Sequence, residues 1–141
     1  MTEPTSKVYA ITLLRHGESI GNVGGYHQGQ SEFPLTRKGK SQAQALANQW
    51  KAEGRTFDLV ISSPQSRASQ TAEIIANTLN LNVEYSDLWK ERDNGLLSGL
   101  KYEEARQKYP QPAFVHLYEP TGQTGESPWE LYLRGGRALQ S

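Results

Sequence analysis

The sequence predicts an α/β fold, in which short buried strands alternate with amphipathic helices. Residues 8–14 and 57–61 are apolar runs with the length and β-branched content of buried strands, and a third short strand is expected at 82–85. Between them lie two stretches with apolar side chains at helical spacing: Ala43, Leu46, Ala47 and Trp50, then Ala68, Thr71, Ala72, Ile75 and Leu79. Strand, helix, strand, helix, strand in that order implies right-handed crossovers and a mainly parallel sheet. At 141 residues, with no internal repeat, low-complexity tract or shift of composition, the chain is expected to form one domain.

Composition narrows the function classes. Lys and Arg number 15 and Asp and Glu number 15, so the net charge is zero and no nucleic-acid partner is implied. No window approaches the ~18 apolar residues of a membrane span, and residues 1–6 carry no leader pattern, so no membrane partner is implied and a cytoplasmic location is expected. Absence of cysteine removes disulfides, thiolate metal sites and cysteine nucleophiles together.

The first apolar run stops abruptly at Arg15-His16-Gly17. In open α/β sheets ligands bind just beyond the carboxyl ends of strands, so a cation, an imidazole and a glycine are placed there to meet an anion, and a phosphoryl group is the anion expected. Residues 23–30 are too rich in glycine and polar groups for a regular element and read as a loop over the site. They lack the lysine of a P-loop and the glycine spacing of a dinucleotide fingerprint, which excludes both nucleotide readings. Thr36 caps a helix that Gly54 stops. After the second strand, Ser63 is the expected cap and Pro64 the first residue of another helix. That places Arg67 in the first turn, where free amides and the helix dipole already favour anions.

Further along, Glu91 follows the third strand; residues 102–109 form a charged helix ended by Pro110. Residues 111–125 carry proline, glycine and scattered aromatics without a pattern and read as an insertion covering the site, with residues 102–125 setting substrate choice. Ser127-Pro128-Trp129-Glu130 is a capping box that opens a last helix, which Gly135 and Gly136 weaken. No acidic or histidine cluster has metal-ligand spacing, so neither metal nor other cofactor is expected.

Arg15-His16-Gly17-Glu18-Ser19 followed by Gly21-Asn22 resembles the signature of the histidine phosphatase superfamily, also called phosphoglycerate mutase-like. Ser62-Ser63-Pro64, Arg67-Ala68 and Thr71-Ala72 resemble its second signature, and the stretch from Leu88 through Glu91 to Gly95 a third. The resemblance implies a three-layer sandwich. It also implies a nucleophile at His16, phosphate contacts from Arg15, Arg67, Asn22 and the backbone around Gln28 and Gly29, and an acid at Glu91 that protonates the leaving oxygen. The partner implied is a small phosphorylated substrate. A neutral imidazole is independently a competent nucleophile near pH 7. His27 and His116 lie outside any family motif and are expected to be structural or exposed.

Family members continue from the last helix into a strand ending in a Ser-His-Gly-like motif, whose histidine walls the phosphate pocket; this sequence stops at Ser141. In the family's sheet that strand lies between the first and second predicted strands, so open edges and homo-oligomer formation are expected of this chain. It is a fragment of a longer protein, the reading favoured here, or another chain supplies the strand, or it is a non-catalytic phosphate-binding or regulatory remnant. Cofactor-dependent mutases carry Glu-Arg-His-Tyr-Gly where this sequence has Glu91-Arg92-Asp93-Asn94-Gly95, and the acidic residue after the arginine favours a phosphatase over the alternative, a phosphoglycerate mutase.

Overall fold

The computed structural model describes residues 7–141, so the reading of residues 1–6 falls outside the described residues. A parallel pair forms the sheet: β1 (Val60–Ser62) lies beside β2 (Val83–Tyr85), with Val60 opposite Val83, Ile61 opposite Glu84 and Ser62 opposite Tyr85. The N–H of Ser86 extends the ladder to the Ser62 carbonyl at 3.0 Å. Strands β1 and β2 are joined by helix α3 (Ser66–Leu79), which packs on both and buries Thr71 and Ile75. Against α3 lies α2 (Arg37–Ala52), which buries Ala43 and Ala47 at the spacing the sequence predicts. Small side chains on that stripe let the two helices approach closely. The α/β class therefore holds, with parallel strands linked through a helix.

The caps follow the sequence with one exception. Thr36 accepts the N–H of Gly39 at 3.0 Å at the start of α2, and Gly54 takes φ +67° just past its end. Helix α3 begins at Ser66 with Gln65 as its cap residue, two positions later than expected from Ser63 and Pro64. Ser63 instead turns its hydroxyl to the N–H of Gln65 at 3.3 Å, and so builds the turn before the helix. A short helix α1 (Ile20–Gly24) occupies part of the segment read as loop, because Ser19 and Asn22 make a reciprocal cap for it. α4 (Tyr102–Lys108) and α5 (Pro128–Gln140) stand where predicted. Helix α5 runs through Gly135 and Gly136 unbroken, held at its start by the Ser127–Glu130 capping box.

Residues 8–14 form no strand. Val8 is 92% exposed and Leu13 72%, and among the described residues this run makes no backbone ladder. A strand exists only where a partner supplies the other half of its hydrogen bonds, and hydrophobic periodicity does not report whether one is there. The same reasoning accounts for β1: it spans Val60–Ser62 rather than residues 57–61, because its partner among the described residues begins at Val83, opposite Val60. Among the described residues no helix is long and apolar enough to cross a membrane.

Candidate active site

The loop after residue 14 is fixed from several sides. The N–H of Gly17 donates to Thr71 Oγ1 at 3.1 Å, and the Thr71 hydroxyl donates to the Arg67 carbonyl at 2.8 Å. The N–H of Glu18 reaches Gln42 at 2.9 Å, and its carbonyl accepts the N–H of Thr36 at 2.9 Å. Its carboxylate takes the Thr36 hydroxyl at 2.8 Å and the Lys38 ammonium at 3.2 Å, which together hold it below the usual carboxylate range. Fully buried Ser19 caps α1. Backbone with no regular structure is thus tied to two helices.

His16 sits half-buried in this loop, with Nδ1 2.7 Å from the Gly17 carbonyl oxygen. A carbonyl can only accept, so Nδ1 carries the proton and Nε2 keeps its lone pair. Burial pushes the imidazole below its ordinary value of 6.5. The Gly17 carbonyl opposes this, the charges of Arg67 and Arg15 add to it, and Glu91 opposes it. The result is an imidazole that stays neutral near pH 7 among cations.

Arg67 is only 3% exposed. Its two terminal nitrogens donate to the carbonyls of Ser31 at 3.1 Å and Gly29 at 2.7 Å. A guanidinium has five N–H donors, so those two bonds leave three for a ligand. Burial lowers its pKa, but from a value so high that it remains charged. Buried Gln65 works beside it: Nε2 donates to the Gly29 carbonyl at 2.9 Å and Oε1 accepts the N–H of Glu91 at 2.8 Å. Sequence reasoning missed Gln65, whose sole signal was a polar side chain next to Pro64 at a helix start.

A cleft of about 240 Å³ brings together every residue singled out from the sequence: His16, Arg15, Arg67, Asn22, Gln28, Gly29 and Glu91. Asn22 turns Oδ1 to the N–H of Ser19 at 3.0 Å, which leaves its amide nitrogen as the end able to donate into the cleft. The Gly29 carbonyl is taken by Gln65 and Arg67, so only an N–H at this turn could meet an anion. Glu91 is exposed and accepts the N–H of Arg92 at 2.8 Å through its carboxylate. Exposure leaves that group open to solvent as well as to the cleft.

His27, Arg92, Asn94 and Tyr102 line the same cleft and also a larger space of about 410 Å³ beside it. That space is completed by Ala105, Arg106 and Tyr109 from the α4 region and by Gln111 and Thr121. His27 therefore lines the cleft, with its ring packed edge-on to Tyr102 at 4.7 Å. Burial and the charge of Arg106 lower its pKa. His116 is exposed and stacks on Tyr118 away from both spaces. The segment 111–125 does not cover the cleft that holds His16; Gln111 and Thr121 reach only the larger space beside it. Among the described residues no group of three or more His, Asp or Glu side chains could hold a metal ion.

A sequence profile of the histidine phosphatase superfamily (branch 1) matches residues 11–141, a span that includes every residue of the cleft. The chain belongs to this superfamily. Phosphoserine phosphatase 1 of Hydrogenobacter thermophilus is 36% identical over 131 residues, 93% of this chain and 57% of that protein. The uncharacterized phosphatase PhoE of Bacillus subtilis is 35% identical over 108 residues, 77% of this chain and 55% of that protein. A 2,3-bisphosphoglycerate-dependent phosphoglycerate mutase of Mesorhizobium japonicum is 32% identical over 151 residues, with 92% of this chain and 73% of that protein covered. Among solved structures, YhfR of Bacillus stearothermophilus superposes with a TM-score of 0.77 at 30% identity, over 89% of this chain and 63% of that one. A mycobacterial glucosyl-3-phosphoglycerate phosphatase complexed with VO3 gives 0.75 at 27% identity, over 89% and 62%. The chain thus spans somewhat over half the length of the curated phosphatases it matches.

Proposed function

We propose that the protein hydrolyses small phosphomonoesters through a phosphohistidine on His16. The observation that carries this reading is the Nδ1 contact of His16 with the Gly17 carbonyl, which leaves Nε2 unprotonated in a cleft shared with Arg15 and Arg67. Nε2 attacks phosphorus and the P–O bond to the alcohol breaks. The carboxylic acid of Glu91 gives its proton to the departing oxygen. Glu91, now a carboxylate, takes a proton from water as that water attacks the phosphohistidine; the P–N bond breaks, and inorganic phosphate leaves. Arg15, Arg67 and the amide of Asn22 hold the phosphoryl oxygens throughout, where charge-assisted hydrogen bonds are strongest.

The phosphoryl group occupies the smaller space and the alcohol the larger one, so residues of the 102–125 segment select the substrate. A phosphoglycerate mutase is the second reading, because mutases are among the relatives. Against it, Asp93, where mutases have histidine, spends its carboxylate on the N–H of Gly95 at 2.9 Å and supplies no cation for a second phosphate. A homo-oligomer is proposed alongside, supported by the exposed apolar side chains of Val8, Ile11 and Leu13.

Rapid quenching of the natural full chain with p-nitrophenyl phosphate should yield an acid-labile, base-stable phosphoenzyme that His16→Ala abolishes. Survival of that adduct in the variant would move the nucleophile elsewhere. Turnover of 3-phosphoglycerate to 2-phosphoglycerate with catalytic 2,3-bisphosphoglycerate, at a rate above hydrolysis, would establish the mutase instead.

A further inference from the structure

Residues 90–94 carry Glu91 without any helix or strand to hold them. They are held by α5. The Arg134 guanidinium donates to two carbonyls of this stretch, Lys90 at 2.6 Å and Glu91 at 3.3 Å, and to that of Leu88 just before it at 3.0 Å. Its other face makes a two-pronged pair with the Glu126 carboxylate, Nε to Oε1 at 2.7 Å and a terminal nitrogen to Oε2 at 2.6 Å. Glu126 then fixes the far end of the stretch, since its own N–H donates to the Asp93 carbonyl at 2.8 Å. The pair is sheltered, with the two side chains 18% and 14% exposed.

Spacing explains the reach. Glu126 stands just before the helix cap and Arg134 two turns into α5, and helical side chains slant toward the helix N-terminus. Arg134 contacts only backbone oxygens of this stretch, so it reads the course of the chain whatever its side chains are. Lysine could not serve, because a point charge with rotating donors lacks the planar fork that meets a carboxylate on one side and several carbonyls on the other.

We infer that Arg134 and Glu126 are positioning residues that hold the Glu91 carboxyl group in register with the leaving-group oxygen above His16. The inference rests on Glu91 acting as the acid of the mechanism proposed above. Gln65 also takes the N–H of Glu91 at 2.8 Å and Gln30 donates to its carbonyl at 3.1 Å, so the backbone of this one residue is gripped from three separate segments. Such a grip matters for a group that transfers protons, because a displacement of about 1 Å costs on the order of a hundredfold in rate. Phosphate binding does not depend on it, since Arg15 and Arg67 lie on other segments.

The test compares two substrates in the natural full chain. p-Nitrophenolate leaves as a stable anion and has little need of an acid, whereas an alkoxide from glycerol phosphate needs its proton. Arg134→Gln should slow phosphoenzyme formation from glycerol phosphate by about tenfold to a hundredfold and from p-nitrophenyl phosphate by less than about threefold, with vanadate affinity unchanged. Placed on Glu91→Gln, it should cause no further loss. Equal loss on both substrates, or losses that multiply in the double variant, would overturn the inference and leave a merely structural ion pair. Glu91→Gln alone tests the underlying reading, because it must show the same substrate contrast for Glu91 to be the acid. Should Arg134→Gln not fold, Glu126→Gln, which keeps the shape but loses the charge, is judged by the same two criteria.

Discussion

The hydroxyl of Thr71 accepts the N–H of Gly17 and donates to the carbonyl of Arg67, 3.1 and 2.8 Å away. One side chain thus sets the distance between the loop that carries His16 and the helix that carries Arg67. Thr71→Val keeps the shape and removes both bonds, leaving the half-buried N–H of Gly17 without this partner. It should cost about 1–3 kcal/mol of stability and lower kcat on the order of tenfold. Thr71→Ser should restore most of both. Thermal unfolding and steady-state kinetics check this; an unimpaired valine variant would show that the two segments are fixed by other contacts.

Acidity provides a second check. Burial holds the His16 imidazole below its ordinary 6.5, so the proposed nucleophile remains neutral as the pH falls through 6.5 and is lost only lower. The acid limb of kcat/KM assigned to His16 should therefore lie below pH 6.5. Arg15→Ala removes one of the charges that depress this group and should move the limb to higher pH. Stability follows the same linkage. Between the folded and unfolded values the unfolded chain binds more protons at this position, so the His16 contribution to stability falls as the pH drops through 6.5 and levels off below the folded value. NMR titration of the ring reads the pKa directly, and a value above 6.5 in the free protein would contradict the burial argument.

Much of the site is legible in the amino-acid sequence alone, and the reasons differ by residue. Arg15, His16 and Arg67 follow from short-range signals: the end of an apolar run, a helix start, and the preference of helix N-termini for anions. Gln65 and Arg134 are not legible that way. Each acts on backbone carbonyls or amides far along the chain, Arg134 on residues 43 to 46 positions away, and no local pattern encodes such pairs. Residues 8–14 fail in the opposite sense. Their side chains read as a buried strand, but pairing is decided by what lies beside them, and among the described residues β1 pairs with β2 alone. His27 gives no local signal because its neighbours carry no motif; it enters the cleft through bonds to Leu100 and Gly99 across the chain.

Phosphate affinity should separate the arginines from the carboxylate. Arg15→Ala and Arg67→Ala each remove charge-assisted bonds to the equatorial oxygens and should weaken vanadate binding by about tenfold to a hundredfold. Glu91→Gln, which alters the group proposed to act on the leaving or attacking oxygen, should leave vanadate binding within about threefold. The two arginines should then part company in unfolding experiments. Arg67 is buried and ties down the Gly29 and Ser31 carbonyls, whereas Arg15 is exposed, so Arg67→Ala should lower the unfolding midpoint well beyond Arg15→Ala. Equal affinity losses for all three variants would contradict this division of labour.

Glycine substitutions test how the His16 loop is seated on α2. Gly39 lies in the first turn of that helix, and a methyl group there would fall on the backbone of Glu18, two residues past His16. In α5, a methyl at Gly135 or Gly136 would meet nothing within 4 Å. Helical Gly→Ala ordinarily stabilises by about 0.5–1 kcal/mol, because alanine has less backbone entropy to lose. Gly135→Ala and Gly136→Ala should show that gain with kcat unchanged. Gly39→Ala should reverse the sign, costing about 1–3 kcal/mol through overpacking, and should lower kcat because the only way to relieve the clash is to push the Glu18 backbone, and His16 with it, off the helix. The comparison is read from unfolding midpoints and kcat of the three variants side by side; a Gly39→Ala protein as stable and active as Gly135→Ala would mean that the His16 loop does not rest on α2 in solution.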